Sequence, residues 1–281
     1  GVVNIVLNLF FVIVCKLDVA GVAIATVISQ CISASLVLRC MVKDTGPLHL
    51  DLKKMRLHPQ AMRQILRIGL PAGLQSAMYN IANTYIQSRI NLYGTVTVAA
   101  WTAFGKVDGF YWMISGAFGI SITTFVGQNF GAGRLDRCKK TLVLCLAEGA
   151  VFLAAAIALI LGFGKPLLSL FNRDPEVIDT GYIRLMMVML AHSFSLLYEV
   201  MSGYLRGFGI SLTPALLTML GVCGVRISWV HWVFPGSRTF RTIMLAYPIS
   251  LSATAFMIFL ALLICRPARR FARGERVGDA A

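Results

Sequence analysis

The stretch whose reading decides the fold is VGQNFGAGR, residues Val126 to Arg134. It closes a long apolar run, 96–126, and opens a basic loop. A glycine-rich polar segment between such neighbours reads as the turn where a membrane span ends and a positively charged surface begins. A phosphate-binding loop would instead need Lys followed by Ser or Thr, after a strand. Neither surrounds Gly127–Gly133, so ATP-driven transport by this chain is set aside.

Working outward, composition sets the class. The chain is 57% apolar and 14% charged, against about 25% charged in soluble proteins. Seven apolar segments reach spanning length: 19–42, 65–90, 96–126, 141–163, 177–205, 214–234 and 242–265. An eighth, 2–15, is short. Lipid-exposed backbone must satisfy its own hydrogen bonds, so each segment is expected to be helical and the chain an all-α integral membrane protein, a polytopic helical bundle. Pro71, Gly105, Gly109, Gly116, Gly119 and Pro248 would weaken soluble helices but are tolerated inside a bundle. The chain starts at Gly1 without Met, and about 15 residues cannot cross a core of about 30 Å as a helix. Further sequence upstream is therefore expected.

The net charge of +14 does not mark a nucleic-acid binder. With alternating spans and a cytosolic loop between the second and third, 17 of the 26 Lys and Arg residues fall on the cytosolic side and 6 on the other. That bias orients the chain with its C-terminus in the cytosol. The segment 43–63 reads as a basic cytosolic linker that attracts anionic headgroups. No soluble segment is long enough to present a basic nucleic-acid face. The seven cysteines lie in or beside spans without CxxC pairs, and the four histidines do not cluster in sequence, so no metal or disulfide framework is expected. Asn4–Asn8 followed by Gly21–Thr26 weakly resembles Arg226–Trp229 followed by Tyr247–Ser252, the kind of internal repeat from which transporters are often built.

Charges inside spans are functional candidates by default. Asp108 lies about 12 residues into the fourth span, roughly 18 Å along it at 1.5 Å per residue. Glu199 lies in the sixth span and Arg226 near the middle of the seventh. Asp108 and Glu199 are the candidate ion-coupling carboxylates, with Arg226 and Lys106 as possible charge partners. Lys106 sits two residues from Asp108 and cannot pair with it directly. The alternative is structural, with Arg226 pairing Glu199 or Asp108 to hold helices together. Glu148 reads as a packing or interfacial group. In the third span Ser76, Asn80, Asn83, Thr84, Gln87 and Asn91 form a polar stripe at helical spacing, either lining a water-filled cavity or bonding another helix. Trp101 and Tyr111 in the fourth span are either core packing or aromatic walls suited to lipophilic cations. His231 reads as interfacial.

Five motifs in order carry a family resemblance. GVAIATVISQ (21–30), IGLPAGLQSA (68–77), VGQNFGAGR (126–134), LFNRDPEV (170–177) and SGYLRGFG (202–209) resemble helices six to ten, and their loops, of the multidrug and toxic compound extrusion (MATE) family. On that likeness the chain corresponds to family helices five to twelve, about eight of a twelve-helix, two-lobe fold. Residues 1–42 would end the amino-terminal lobe, 43–63 link the lobes, 64–265 form the carboxy-terminal six-helix lobe, and 266–281 a cytosolic tail. The resemblance also tips the polar stripe toward a cavity, with Gln75, Ser76, Tyr79, Asn80, Asn83, Thr84, Gln87, Trp101 and Tyr111 as its substrate lining. The acidic residue that several relatives carry two turns after the seventh-helix proline is replaced here by Tyr79 and Asn80. The tenth helix lacks the relatives' carboxylate near Ser195, leaving Glu199, one turn on, as its substitute.

The implied function is secondary active antiport, exporting lipophilic, cationic drugs or toxic compounds in exchange for H+ or Na+ by alternating access, without cofactor, catalytic residue or metal. A monomer in the plasma membrane, a bacterial inner membrane, is expected, with the lipid bilayer and small molecules as partners. A lipid-linked saccharide flippase is the second reading, disfavoured by the scarcity of intramembrane Arg and Lys. A membrane-embedded enzyme is the third. It lacks paired groups at fixed helical spacing, since His192 and Glu199 stand seven apart.

Overall fold

The computed structural model describes residues 1–46, 49–51, 56–237 and 239–272. Every regular element among them is helical. They fall into two compact units, Gly1–Met62 and Arg63–Ala281.

The first unit is a helical hairpin. Helix α1 (Val2–Leu9) continues as a π turn (Phe10–Val14) and is followed by α2 (Asp18–Lys43). Lys16 and Asp18 turn the chain with positive φ, 52° and 43°. The two helices meet at Gly21, where an added Cβ would lie 3.0 Å from that of Phe11. Asn4 ties them by donating to Ser29 Oγ at 3.0 Å.

The second unit holds α3 (Pro59–Ile90) from Arg63 onward, α4 (Thr95–Gly131), α5 (Leu135–Gly162), a short α6 (Gly164–Ser169), α7 (Pro175–Gly207), α8 (Leu212–Gly236), α9 (Phe240–Cys265) and a final turn, α10 (Pro267–Ala272). Asp174 caps α7, accepting from the Glu176 N–H at 3.0 Å, and Pro175 occupies the first turn, where no N–H is needed. Thr239 caps α9 in the same way. Helix α8 is irregular: the stretches Met219–Val225 and Trp229–Val233 are π-helical and flank Arg226–Ser228.

Six helices, α2, α4, α5, α7, α8 and α9, are long and apolar enough to cross a membrane. Two of the eight expected spans fall short of that standard. The segment Val2–Val14 is too short. Helix α3 has 32 residues, but its polar stripe lowers its hydropathy. The opening motif also differs from the turn expected: α4 runs on through Gly127 to Gly131, and only the following residues turn, with Gly133 at φ 70°. A helix keeps its backbone bonded as it leaves the apolar layer, so it need not stop where hydrophobicity stops. Of the expected linker 43–63, Pro47, Leu48 and Leu52–Met55 lie outside the described residues, and the stretch from Pro59 belongs to α3. The tail beyond Ala272 also lies outside them.

Helix α7 is the axis of the second unit and packs most extensively on α4, then on α9. Small residues bring α4 and α7 together. A Cβ on Gly203 would lie 2.6 Å from Ile122 Cγ2 and 2.7 Å from the Gly119 carbonyl oxygen, and one on Gly207 would lie 2.7 Å from Val126. Thr123 bridges the pair, its Oγ1 3.1 Å from the Gly203 carbonyl. Without a hydrophobic drive between helices in lipid, such close packing and interhelical hydrogen bonds supply the attraction. The outer face of α4 is apolar and bare, with Phe110, Met113 and Ile120 each more than 60% exposed, the pattern of a surface that meets lipid.

Candidate functional site

The chemistry of the second unit collects in a cavity of about 240 Å³ lined from α3, α4, α7, α8 and α9. Helix α4 contributes Trp101, Asp108 and Trp112; α7 contributes Arg184 and His192; α8 contributes Arg226; α9 contributes Tyr247 and Leu251. Helix α3 adds Tyr79, Asn83 and Gln87. The spacings of four, seven and eight residues place each set on one helix face. A larger cavity of about 540 Å³, bounded by Arg89, Tyr93, His231 and Pro235, has no carboxylate in its lining among the described residues.

Asp108 and His192 form the centre of the site. Asp108 Oδ1 lies 2.6 Å from His192 Nε2, and its Oδ2 accepts from Trp112 Nε1 at 3.1 Å. His192 is 1% exposed and stacks on Tyr111, with ring centroids 3.8 Å apart. Its Nδ1 lies 3.2 Å from Ser195 Oγ. Ser195 can also donate to the His192 carbonyl at 2.9 Å, and Tyr111 reaches both that carbonyl and Ser195. This arrangement tolerates two charge states. A neutral imidazole with its proton on Nε2 accepts the Ser195 hydroxyl at Nδ1. An imidazolium donates from Nδ1, and the hydroxyl rotates to give its hydrogen to the carbonyl. The pair can therefore gain a proton without stranding a buried donor.

Two arginines face the same space. Arg184, 5% exposed, donates from Nη1 to the Trp101 carbonyl at 3.1 Å and lies 3.1 Å over the Trp101 ring and 3.9 Å over that of Phe104. Arg226, 1% exposed, donates from Nε and Nη2 to Ser250 Oγ, each at 3.2 Å, and stacks 4.3 Å above Tyr247.

Several residues expected from the sequence stand elsewhere. Glu199 does not line the cavity; it accepts from Arg206 Nη2 at 2.8 Å, because seven residues are nearly two turns of one helix face. Its side chain also crowds Gly119, where a Cβ would meet it at 2.8 Å. Arg226 makes no ion pair with Asp108 or Glu199 among the described residues, since Ser250 and Tyr247 hold it. Lys106 is exposed on the other side of α4 from Asp108. Of the polar stripe, Asn83 and Gln87 reach the cavity, while Ser76, Asn80 and Thr84 are exposed on this unit and Gln75 is half-buried outside the lining. One helix face spans too narrow an arc to turn all of them inward. Trp101 and Tyr79 line the cavity, and Tyr111 lies behind it against His192. His192 and Arg184 were not among the site residues expected from the sequence. Their signal was periodic: Arg184, Val188, His192 and Ser195 recur at spacings of four, four and three on α7.

The family model described as MatE matches residues 71–230, more than half of the 281. The chain belongs to the MATE family. Among MATE relatives, the probable multidrug resistance protein YoeA of Bacillus subtilis is 25% identical over 75% of this chain and 46% of its own length. The FAD transporter of Shewanella oneidensis is 29% identical over 58% of this chain and 36% of its own. A crystal structure of MATE in complex with MaL6 superposes with a TM-score of 0.83 at 19% identity, covering 92% of this chain and 59% of that one, so the fold is shared. The chain spans about half the length of the curated relatives it matches. MATE proteins are transporters, not enzymes.

Proposed function

We propose that this chain forms the carboxy-terminal part of a secondary active transporter that moves organic compounds across the membrane by alternating access, and that Asp108 and His192 together hold its coupling proton. The contact at 2.6 Å between Asp108 Oδ1 and His192 Nε2, inside apolar spans, carries the reading. A charge at membrane depth persists when it has a partner or a task, and the hydroxyl relay behind His192 suits a group that changes charge. Protons are favoured over sodium as the coupling ion. Hard cations take several oxygen ligands, whereas the Asp108 oxygens face ring N–H groups of Trp112 and His192. Asp108 is favoured over Glu199, whose carboxylate is held by Arg206.

Exchange of a lipophilic cation for a proton needs the two to compete for one negative site. Asp108 offers such a site, but Arg184 and Arg226 oppose a cation there. A relative named for FAD, an aromatic anion, supports a second reading in which the solute is negative.

In proteoliposomes holding the intact protein, a pH gradient should drive movement of labelled organic solutes, and an equal sodium gradient should not. Sodium-driven movement at constant pH would reject the proton. Glu199→Gln should leave the rate near native and change stability by no more than about 1 kcal/mol, since the pair with Arg206 is partly exposed.

The same reading places α10 and the segment between α2 and α3 at the cytosolic face of the plasma membrane, with the transporter acting as a monomer. The excess of Lys and Arg on those loops supports this orientation. Single cysteines introduced at Arg56 and Ala272 should resist an impermeant thiol reagent in intact cells and react after permeabilisation. Labelling from outside would reverse the orientation.

A further inference from the structure

We infer that the cavity takes an aromatic organic anion, with its negative group on Arg184 and Arg226. Charge balance leads there. Both guanidiniums are at least nine-tenths buried, and among the described residues neither has a carboxylate within 4.0 Å. The carboxylate that lines the cavity, Asp108, is already engaged by His192 and Trp112. The arginines rest on aromatic faces and neutral acceptors, which return less than burying two like charges costs. Arg184 Nε is buried without any hydrogen-bond partner. An anionic group supplies both the missing charge and the missing acceptor, and a buried guanidinium suits a carboxylate, sulfonate or phosphate. Tyr79, Trp101, Trp112 and Tyr247 give the remaining wall its aromatic character, and about 240 Å³ is room for one or two fused rings.

The inference deepens the transport reading and rests on it only for the solute's access to the cavity. It also sets a sign. A proton gained by the Asp108–His192 pair adds positive charge to the space the anion enters, so proton and anion reinforce each other. A cation would compete with the proton. Among the described residues, the other ionisable groups facing the pair are Arg184, Arg226, Tyr79, Tyr111 and Tyr247.

Two labelled probes of fixed charge separate the alternatives: naphthalene-2-sulfonate and naphthylmethyl-trimethylammonium. Each is titrated into the intact protein in nanodiscs. The sulfonate should bind and tighten as the pH is lowered, and the ammonium should bind more weakly throughout. Arg184→Gln and Arg226→Gln should each weaken the sulfonate by about thirtyfold or more, while Arg226→Lys retains most of the binding. If the glutamine variants fail to fold, the native preference between the two probes decides. A preference for the ammonium, or sulfonate affinity unchanged in folded glutamine variants, overturns the inference. Sulfonate binding that needs the arginines but ignores both pH and Asp108→Asn upholds the anion and removes the proton reading instead.

Discussion

Asp108→Asn in the intact protein should reduce pH-gradient-driven transport to background while the protein remains folded. The amide keeps the size of the carboxyl group and an oxygen for Trp112, which donates to Asp108 at 3.1 Å. It cannot carry or release the coupling proton. It also takes the negative charge away from His192, which is 1% exposed and has no other carboxylate within 4.0 Å among the described residues. Weakening one buried hydrogen bond in this way costs about 1–3 kcal/mol, so a modest fall in melting temperature should accompany the loss of transport. Measured in proteoliposomes under a pH gradient, native rates in this variant would make the pair purely structural.

The second large effect concerns assembly. Gly203→Val should keep α4 and α7 from closing and leave little protein that survives detergent extraction as a monodisperse peak. Its side chain would run into Ile122 and the Gly119 carbonyl, at 2.6 and 2.7 Å from the first added carbon alone. Overpacking a tight contact typically costs about 1–3 kcal/mol. Here one obstacle is backbone, which cannot swing aside as a side chain can, so the effect should lie at or above the top of that range. Gly109→Ala, on α4 where a Cβ meets nothing within 4 Å, should melt within about 0.5 kcal/mol of native. Equal melting of the Gly203 and Gly109 variants would remove the close approach as the reason the helices associate.

The sequence made the helices and their order legible because apolar length and glycine punctuation are local signals. It also pointed to Asp108, Arg226, Tyr79, Asn83, Gln87 and Trp101, which share the cavity. Pairing was not legible. Asp108 meets a histidine 84 positions away, and only the approach of α4 to α7 determines which residue of α7 stands opposite. Glu199 looked equivalent to Asp108 because both are acids in apolar spans, yet an arginine on its own helix face holds it. The extent of α4 past Gly127 was hidden for a related reason. Glycine and polar residues stop soluble helices more readily than helices emerging from lipid, and Gly207 of α7 packs on Val126 at the very point where the turn was expected.

The π-helical stretches on either side of Arg226 have a mechanical consequence. A wide turn holds a residue more than an α turn does. Tightening the first wide turn to α releases that residue and shifts the stretch beyond it by one register position, with few backbone bonds changed. One position on a helix is about 100° of rotation. Arg226–Ser228 is thus a short axle between two loosened couplings, and a quarter-turn would carry the guanidinium off Ser250 without unfolding the helix that bears it.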